Sequence, residues 1–246
     1  MIAPGLLALG LMAGAAAGSC GATVAVRATR GEQALTGGSR CDGCGRTLGF
    51  ARTVPLVSFV FQRGACAYCA APIARIHFVG EALGVLAAGS AFAIADPVRA
   101  LPLAVLGLAL LASALVDAST RRLPDVLTLL VVVMAVALAA MRSPFDLGLG
   151  VGIGAATLAG LWLLREGFRR LRGRDALGLG DVKLIAALAI WLGPATPWMM
   201  AAAGVFGLVA MAVAKPKDGR LAFGPAIAAA AWSVGLAMEA GLWPSV

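Results

Sequence analysis

Long apolar segments alternate with shorter polar ones along most of the chain. The apolar segments lie near residues 1–26, 78–95, 98–116, 126–141, 147–165, 182–196, 198–214 and 221–243. A membrane-crossing helix needs about 20 largely apolar residues. The pattern therefore predicts an all-α polytopic membrane protein with about eight transmembrane helices, several of them short.

Composition agrees with lipid as the main solvent. The chain is 61% hydrophobic and 13% charged, whereas soluble domains are about half apolar and a quarter charged. These values exclude a soluble enzyme, a disordered protein and a disulfide-rich secreted domain. An isoelectric point near 10.1 would suit a nucleic-acid partner. Here the basic residues lie between apolar segments, so we expect membrane lipid as the partner and no nucleic acid.

The distribution of basic residues predicts the orientation. A signal peptide needs a positive charge before its apolar stretch, but Arg27 and Arg30 follow the first segment. We therefore expect an uncleaved first span with its N-terminus outside. Eight spans then place all twenty basic residues on the cytoplasmic side except Arg99 and Arg142, as the positive-inside rule requires.

The polar segment 28–77 is predicted to be a small cytoplasmic domain. It contains the pairs Cys41/Cys44 and Cys66/Cys69, each with two residues between its cysteines. Two such pairs match a four-thiolate, zinc-ribbon-like site. Two disulfides, a redox pair and an iron–sulfur cluster are the alternatives, and a reducing cytoplasm disfavours the disulfides. Structural zinc would supply much of the stability of this loop.

Three aspartates at predicted cytoplasmic ends of spans are the candidate chemistry. Asp117, Asp125 and Asp181 could meet at one depth, and ionisable residues at membrane depth point to function. The structural alternative is capping, because Asp125 and Asp181 could each be the N-cap of the helix that follows.

Two further ionisable residues have less specific interpretations. Glu81 falls just inside the second span, where we expect it to pair with Arg75 or His77. His77 is the only histidine, which argues against Ser-His or Cys-His catalysis and against an H-E-x-x-H metalloprotease.

The aspartate segments resemble the motifs of the type IV prepilin peptidase family. The matching residues are Leu115-Val116-Asp117, Arg122-Leu123-Pro124-Asp125 and Gly178-Leu179-Gly180-Asp181-Val182-Lys183. The cysteine pairs, Pro55-Leu56-Val57-Ser58, Arg63-Gly64, and Gly219-Arg220-Leu221-Ala222-Phe223-Gly224-Pro225 resemble further segments of that family.

The resemblance implies a bifunctional enzyme of the bacterial cytoplasmic membrane. It would cleave the short basic leader of prepilins or pseudopilins after a glycine, at the cytoplasmic face, with Asp117 and Asp181 as the catalytic pair. It would then N-methylate the new N-terminus with S-adenosylmethionine. Residues 1–27 would form a first span, 28–77 the cysteine domain and 78–246 the protease domain.

Two other functions would use some of the same features. A transporter could place a carboxylate pair among its helices, although near mid-membrane and with an inverted repeat. A non-catalytic assembly factor could use a zinc domain for docking and would leave Asp117 and Asp181 idle.

Overall fold

A computed structural model describes residues 4–33, 37–173, 177–215 and 221–242. Gly219 and Arg220 of the last motif lie outside the described residues. So do Arg174 and Lys217, which the sequence places on the cytoplasmic side.

The described chain is helical, which confirms the predicted all-α class. Its helices are α1 (Pro4–Thr29), α2 (Val57–Phe61), α3 (Arg75–Ile94), α4 (Pro97–Thr120), α5 (Asp125–Ala140), α6 (Pro144–Arg172), α7 (Leu179–Leu192), α8 (Thr196–Ala214) and α9 (Gly224–Glu239). All except the short α2 coincide with the eight predicted apolar segments. Helix α6 continues past residue 165, so the arginines expected in a loop after it are helical as far as Arg172.

Five helical stretches in the described residues are long and apolar enough to cross a membrane. They are Pro4–Thr29, Arg75–Ile94, Pro97–Thr120, Pro144–Arg172 and Leu179–Ala214. The last stretch contains both α7 and α8, which are separated only by the 3-10 turn Gly193–Ala195. The apolar helix α5 is shorter, with 16 residues. The protein is therefore a multi-span membrane protein.

Glycines allow α1 and α3 to pack with their backbones close together. Gly14 and Gly18 of α1 face Gly84 and Gly80 of α3, and a Cβ atom on Gly18 or Gly84 would collide with a backbone carbonyl of the other helix. Small residues four positions apart are a common basis for helix packing in lipid.

Helix α4 lies at the centre of the bundle. It contacts α1, α3, α5 and α9, and its buried face includes Leu103, Leu106 and Leu110. Asp96 caps its N-terminus by accepting hydrogen bonds from the N–H groups of Val98 and Arg99, as expected of an N-cap aspartate.

Charged side chains meet at the end of the bundle that contains Glu239, here called the glutamate end. The Glu239 side chain is 3% exposed and lies 2.7 Å from Arg99 of α4 and 2.9 Å from Arg142. The indole Nε1 of Trp191 donates to the same carboxylate at 3.0 Å. The two arginines that the sequence leaves on the outer side thus share one carboxylate.

Candidate active site

The last turn of α4 holds Asp117 in a buried position. Asp117 is 5% exposed, and its Oδ2 accepts a hydrogen bond of 2.8 Å from the backbone N–H of Gly224, at the start of α9. Helix α4 ends at Arg121, which has a left-handed backbone (φ 55°) and donates its N–H to the Asp117 carbonyl. The chain therefore turns immediately after Asp117.

Asp181 lies in the first turn of α7. The N-cap of this helix is Gly178, and the Asp181 carboxylate reaches back towards its backbone N–H. A carboxylate that reaches back in this way gains from the partial positive charge of a helix N-terminus. The prediction that Asp181 could be the N-cap is wrong, because Gly178 is the N-cap and Asp181 lies three residues after it.

Both carboxylates line one cleft of about 370 Å³ and interact electrostatically. The structure thus brings together the two aspartates that the sequence singled out. The other residues that line the cleft are Arg121, Arg122, Leu123, Asp125, Gly178, Leu179, Gly180 and Lys183. The end of the bundle that contains this cleft is here called the aspartate end.

Asp125 lies in the same cleft but in a different environment. Its side chain is 76% exposed and forms an ion pair of 2.8 Å with Lys183. It is the first residue of α5, whose N-cap is Pro124. The N-cap interpretation of Asp125 is therefore wrong. Its partner, Lys183, was not identifiable from the sequence, because the two residues lie on different helices.

Three motif glycines leave space around the aspartates. A Cβ atom on Gly224 would lie 2.8 Å from Oδ2 and 3.0 Å from Cγ of Asp117. A Cβ atom on Gly178 would lie 2.8 Å from Oδ2 of Asp181, and one on Gly180 would lie 3.0 Å from Cβ of Leu123. The sequence showed these glycines only as a pattern, whereas the structure gives each one a neighbour.

This arrangement suits acid–base chemistry with one shared proton. Two carboxylates in one cleft cannot both ionise easily, so one keeps a proton while the other acts as base. Such a pair titrates as a unit.

The four cysteines form a second cluster, in the segment between α1 and α3. The Sγ atoms of Cys41, Cys44, Cys66 and Cys69 lie within 4.8 Å of one another, and those of Cys41 and Cys69 are 3.7 Å apart. Tetrahedral zinc with Zn–S bonds of about 2.3 Å separates its sulfurs by about 3.8 Å, so this geometry fits the metal. All four are free thiols, which disagrees with the disulfide alternative.

The two cysteine pairs adopt the same local fold. Isolated bridges join Arg40 to Thr47 and Ala65 to Pro72, so each pair lies on a tight turn. Backbone N–H groups of Gly43 and Tyr68 point at the sulfurs of Cys41 and Cys66. The N–H groups of Tyr68 and Cys69 lower the pKa of the Cys66 thiol to about 6, whereas burial and the neighbouring cysteines raise that of Cys69 to about 12. Arg52 stacks on the Tyr68 ring at 3.9 Å. The donors therefore favour thiolate, the form that binds metals.

Glu81 has partners other than those expected. The carboxylate is buried and accepts hydrogen bonds of 2.7 Å from the Ser19 hydroxyl of α1 and from the backbone N–H of Leu56. The expected pairing with Arg75 or His77 is wrong, because the hydrogen-bond partners of Glu81 are Ser19 and Leu56. Glu81 instead links two helices to the cysteine domain, a contact between distant segments that no local pattern indicates.

Two family descriptions match the chain. The bacterial Peptidase A24 N-terminal domain matches residues 12–94, and the type IV leader peptidase family matches residues 104–212. A relative from Neisseria gonorrhoeae is 32% identical over 85% of this chain and 73% of its own length.

The chain belongs to the type IV leader peptidase family. A relative from Burkholderia pseudomallei is 38% identical over 78% of this chain, and one from Dichelobacter nodosus is 31% identical over 80% of this chain and 70% of its own length. All three are named prepilin leader peptidase/N-methyltransferase. The chain spans 64% of the length of the Burkholderia relative. No solved structure matches.

Proposed function

We propose that this chain is an integral-membrane aspartic endopeptidase that removes the leader peptide of prepilins or pseudopilins after a glycine. The observation that carries the proposal is that Asp117 and Asp181, from helices α4 and α7, line one cleft at the end of the bundle. The names of the relatives support the substrate class.

The reaction is peptide hydrolysis by the aspartate pair. The ionised carboxylate takes a proton from water while the water oxygen attacks the carbonyl carbon of the scissile bond. The protonated carboxylate donates to the carbonyl oxygen. Collapse of the tetrahedral gem-diol breaks the C–N bond: the leaving amine takes a proton from one carboxyl while a hydroxyl of the intermediate returns a proton to the other, which restores the single shared proton.

We also propose eight crossings, with the N-terminus outside and the aspartate end at the cytoplasmic face of the bacterial inner membrane. Residues 1–27 would be the first span, 28–77 the cysteine domain and 78–246 the protease domain. Support comes from charge: Arg121 and Arg122 lie at the aspartate end, and Arg99 and Arg142 at the other.

Cleavage tests this function. Membranes containing the chain should shorten a prepilin by the length of its leader. Asp117→Asn and Asp181→Asn should each reduce the rate by about 10²–10⁴-fold, the usual contribution of a general acid or base, with normal protein levels. Asp125→Asn is the matched control and should keep most activity. Full cleavage by both of the first variants would exclude the pair and favour a transporter or an assembly factor.

We propose structural zinc at Cys41, Cys44, Cys66 and Cys69, where it would supply folding energy to a segment with few buried residues. Purified protein should contain about one zinc per chain. Cys44→Ser should release the metal and speed proteolysis between residues 40 and 70, and Cys20→Ser is the control. Metal-free wild-type protein, or disulfides after reducing purification, would contradict the proposal.

N-methylation with S-adenosylmethionine is proposed from the names of the relatives. A cavity of about 610 Å³ beside the cleft is lined by Thr29, Ser119, Thr120 and Arg122 among others. Its three hydroxyls already donate to carbonyls of their own helices, and no lining residue is acidic. This lining does not fit a cationic cofactor with ribose hydroxyls, so no methyl-transfer step is assigned to it.

A further inference from the structure

An apolar segment lies inside the otherwise polar cysteine domain. Residues 54–61 read Val-Pro-Leu-Val-Ser-Phe-Val-Phe, and α2 forms from the last five of them. Val57, Val60 and Phe61 are 50%, 64% and 84% exposed. Their spacing places them on one side of the helix. A group of exposed apolar side chains usually marks an interaction surface.

Two contacts fix the depth of α2 beside a membrane-crossing helix. The Leu56 N–H reaches Glu81, which lies six residues into α3, or about 9 Å along its axis. The ring of Phe59 lies 5.0 Å from that of Phe78, also in the first turns of α3. The start of α2 and its Phe59 ring therefore contact the first two turns of α3, which places α2 at the level where α3 enters the membrane.

The turn that leads into α2 has an uncommon backbone geometry. Leu56 has φ 61° and ψ −50°, and the Val57 N–H donates to the Pro55 carbonyl at 2.6 Å. This is a tight γ-turn of a kind that is rare for a residue with a side chain. The buried Glu81 carboxylate holds it by accepting the Leu56 N–H. An observed backbone outlier that its surroundings hold in place is a reason to look for function.

The charges around α2 suit an anionic surface. No acidic residue occurs between Asp42 and Glu81, whereas this stretch contains four arginines. Arg63 follows α2 almost directly and Arg75 begins α3, and both are exposed. Arginines beside aromatic and aliphatic side chains at the membrane boundary are complementary to anionic lipid headgroups.

We propose that α2 is an interfacial helix, with Val57, Val60 and Phe61 inserted into the leaflet next to the cysteine domain. Arg63 and Arg75 bind anionic headgroups there. The cysteine domain then rests on the bilayer surface and does not extend freely from it. The depth set by Glu81 favours lipid over a second protein as the occupant of this surface.

Lipid crosslinking tests the proposal on the full-length chain. Phe61 is replaced by photoreactive benzoylphenylalanine, and the protein is placed in phosphatidylcholine vesicles with and without phosphatidylglycerol. Mass spectrometry after irradiation should find lipid adducts at position 61. The same probe at Tyr68, on a cysteine turn, is the matched control and should give few. Equal yields at both positions, or adducts at 61 with protein only, would overturn the proposal.

The contribution of charge is tested separately. Phosphatidylglycerol should raise the adduct yield at position 61, and Arg63→Gln should remove this increase. Unchanged elution in size-exclusion chromatography shows that the variant is folded, and Arg40→Gln serves as a control outside the patch. An increase that persists in Arg63→Gln would refute the role given to this arginine.

Discussion

Buried carboxylates have charged partners at one end of the bundle and uncharged partners at the other. At the glutamate end, Glu239 forms ion pairs with two arginines and accepts a hydrogen bond from an indole N–H. At the aspartate end, Asp117 accepts a hydrogen bond from the backbone N–H of Gly224, and the Asp181 carboxylate faces the backbone N–H of Gly178. Among the described residues, neither aspartate forms an ion pair.

The contrast explains why similar residues have different consequences. A carboxylate that is ion-paired with cations stays ionised and does not exchange protons readily. Its loss leaves those cations without a counter-charge. A carboxylate bound only by neutral N–H groups, next to a second carboxylate, keeps a proton that it can exchange. The paired carboxylate therefore suits a structural role, and the unpaired ones suit the acid–base role proposed for them.

Among variants that keep both aspartates, the largest expected effect comes from displacing the Asp117 side chain. Gly224→Ala would place a Cβ atom 2.8–3.0 Å from three atoms of the Asp117 side chain, so the carboxylate must move away from the N–H of residue 224. A displacement of about 1 Å can cost about 10²-fold in rate. We expect a loss of this size in prepilin cleavage, measured as initial rate.

Gly160→Ala is the matched control, because a Cβ atom there meets nothing within 4 Å. It should leave the cleavage rate unchanged. Wild-type cleavage by Gly224→Ala would mean that the contact between α9 and Asp117 does not matter for catalysis.

The second prediction separates stability from activity. Glu239→Gln removes the carboxylate that both Arg99 and Arg142 contact. Their side chains are 25% and 22% exposed, so we expect a loss of about 2 kcal/mol, less than for a fully buried pair. Thermal denaturation in detergent should show Tm lower by about 4–8 °C. Asp117→Asn should leave Tm within about 2 °C of wild type.

Glu166→Gln controls for the loss of a carboxylate as such. Glu166 is 15% exposed, but its partners Arg169 and Arg170 are 54% and 77% exposed. Water screens both pairs, so they add little stability. Its Tm should match wild type. If Glu239→Gln also matched wild type, the ion cluster would have no structural role and the contrast between the two ends would fail.

Local sequence patterns predicted the positions of the helices, and they singled out the two aspartates that line the cleft. Apolar length alone located eight helices, and the spacing of Cys41, Cys44, Cys66 and Cys69 predicted a cluster that the structure forms. Asp117 and Asp181 could be paired because both fall at segment ends of matching depth. Each of these predictions depends on neighbours in sequence or on the membrane as a common reference plane.

The features that sequence reasoning missed are contacts between distant segments. Glu81 was given nearby partners, but it binds Ser19 and Leu56. Glu239 was placed correctly near the end of its span, yet its arginines come from other parts of the chain. A hydropathy pattern gives depth and not rotation about the helix axis, so it cannot say which charges face one another.

The smallest expected effect concerns the exposed ion pair between Asp125 and Lys183 in the cleft. Asp125 and Lys183 are 76% and 41% exposed, so water screens their attraction, and such a pair contributes about 0–1 kcal/mol. Lys183→Met should therefore keep cleavage within about fivefold of wild type, the factor that corresponds to 1 kcal/mol. Combining it with Asp125→Asn should add almost nothing, because either change alone already removes the pair.

Raising the salt concentration should bring wild type and Lys183→Met closer together in cleavage rate. A loss of cleavage rate as large as that of Asp117→Asn would instead show that Lys183 supplies positive charge to the aspartate pair. The carboxylates of the aspartate end would then have a cationic partner, as Glu239 does at the glutamate end.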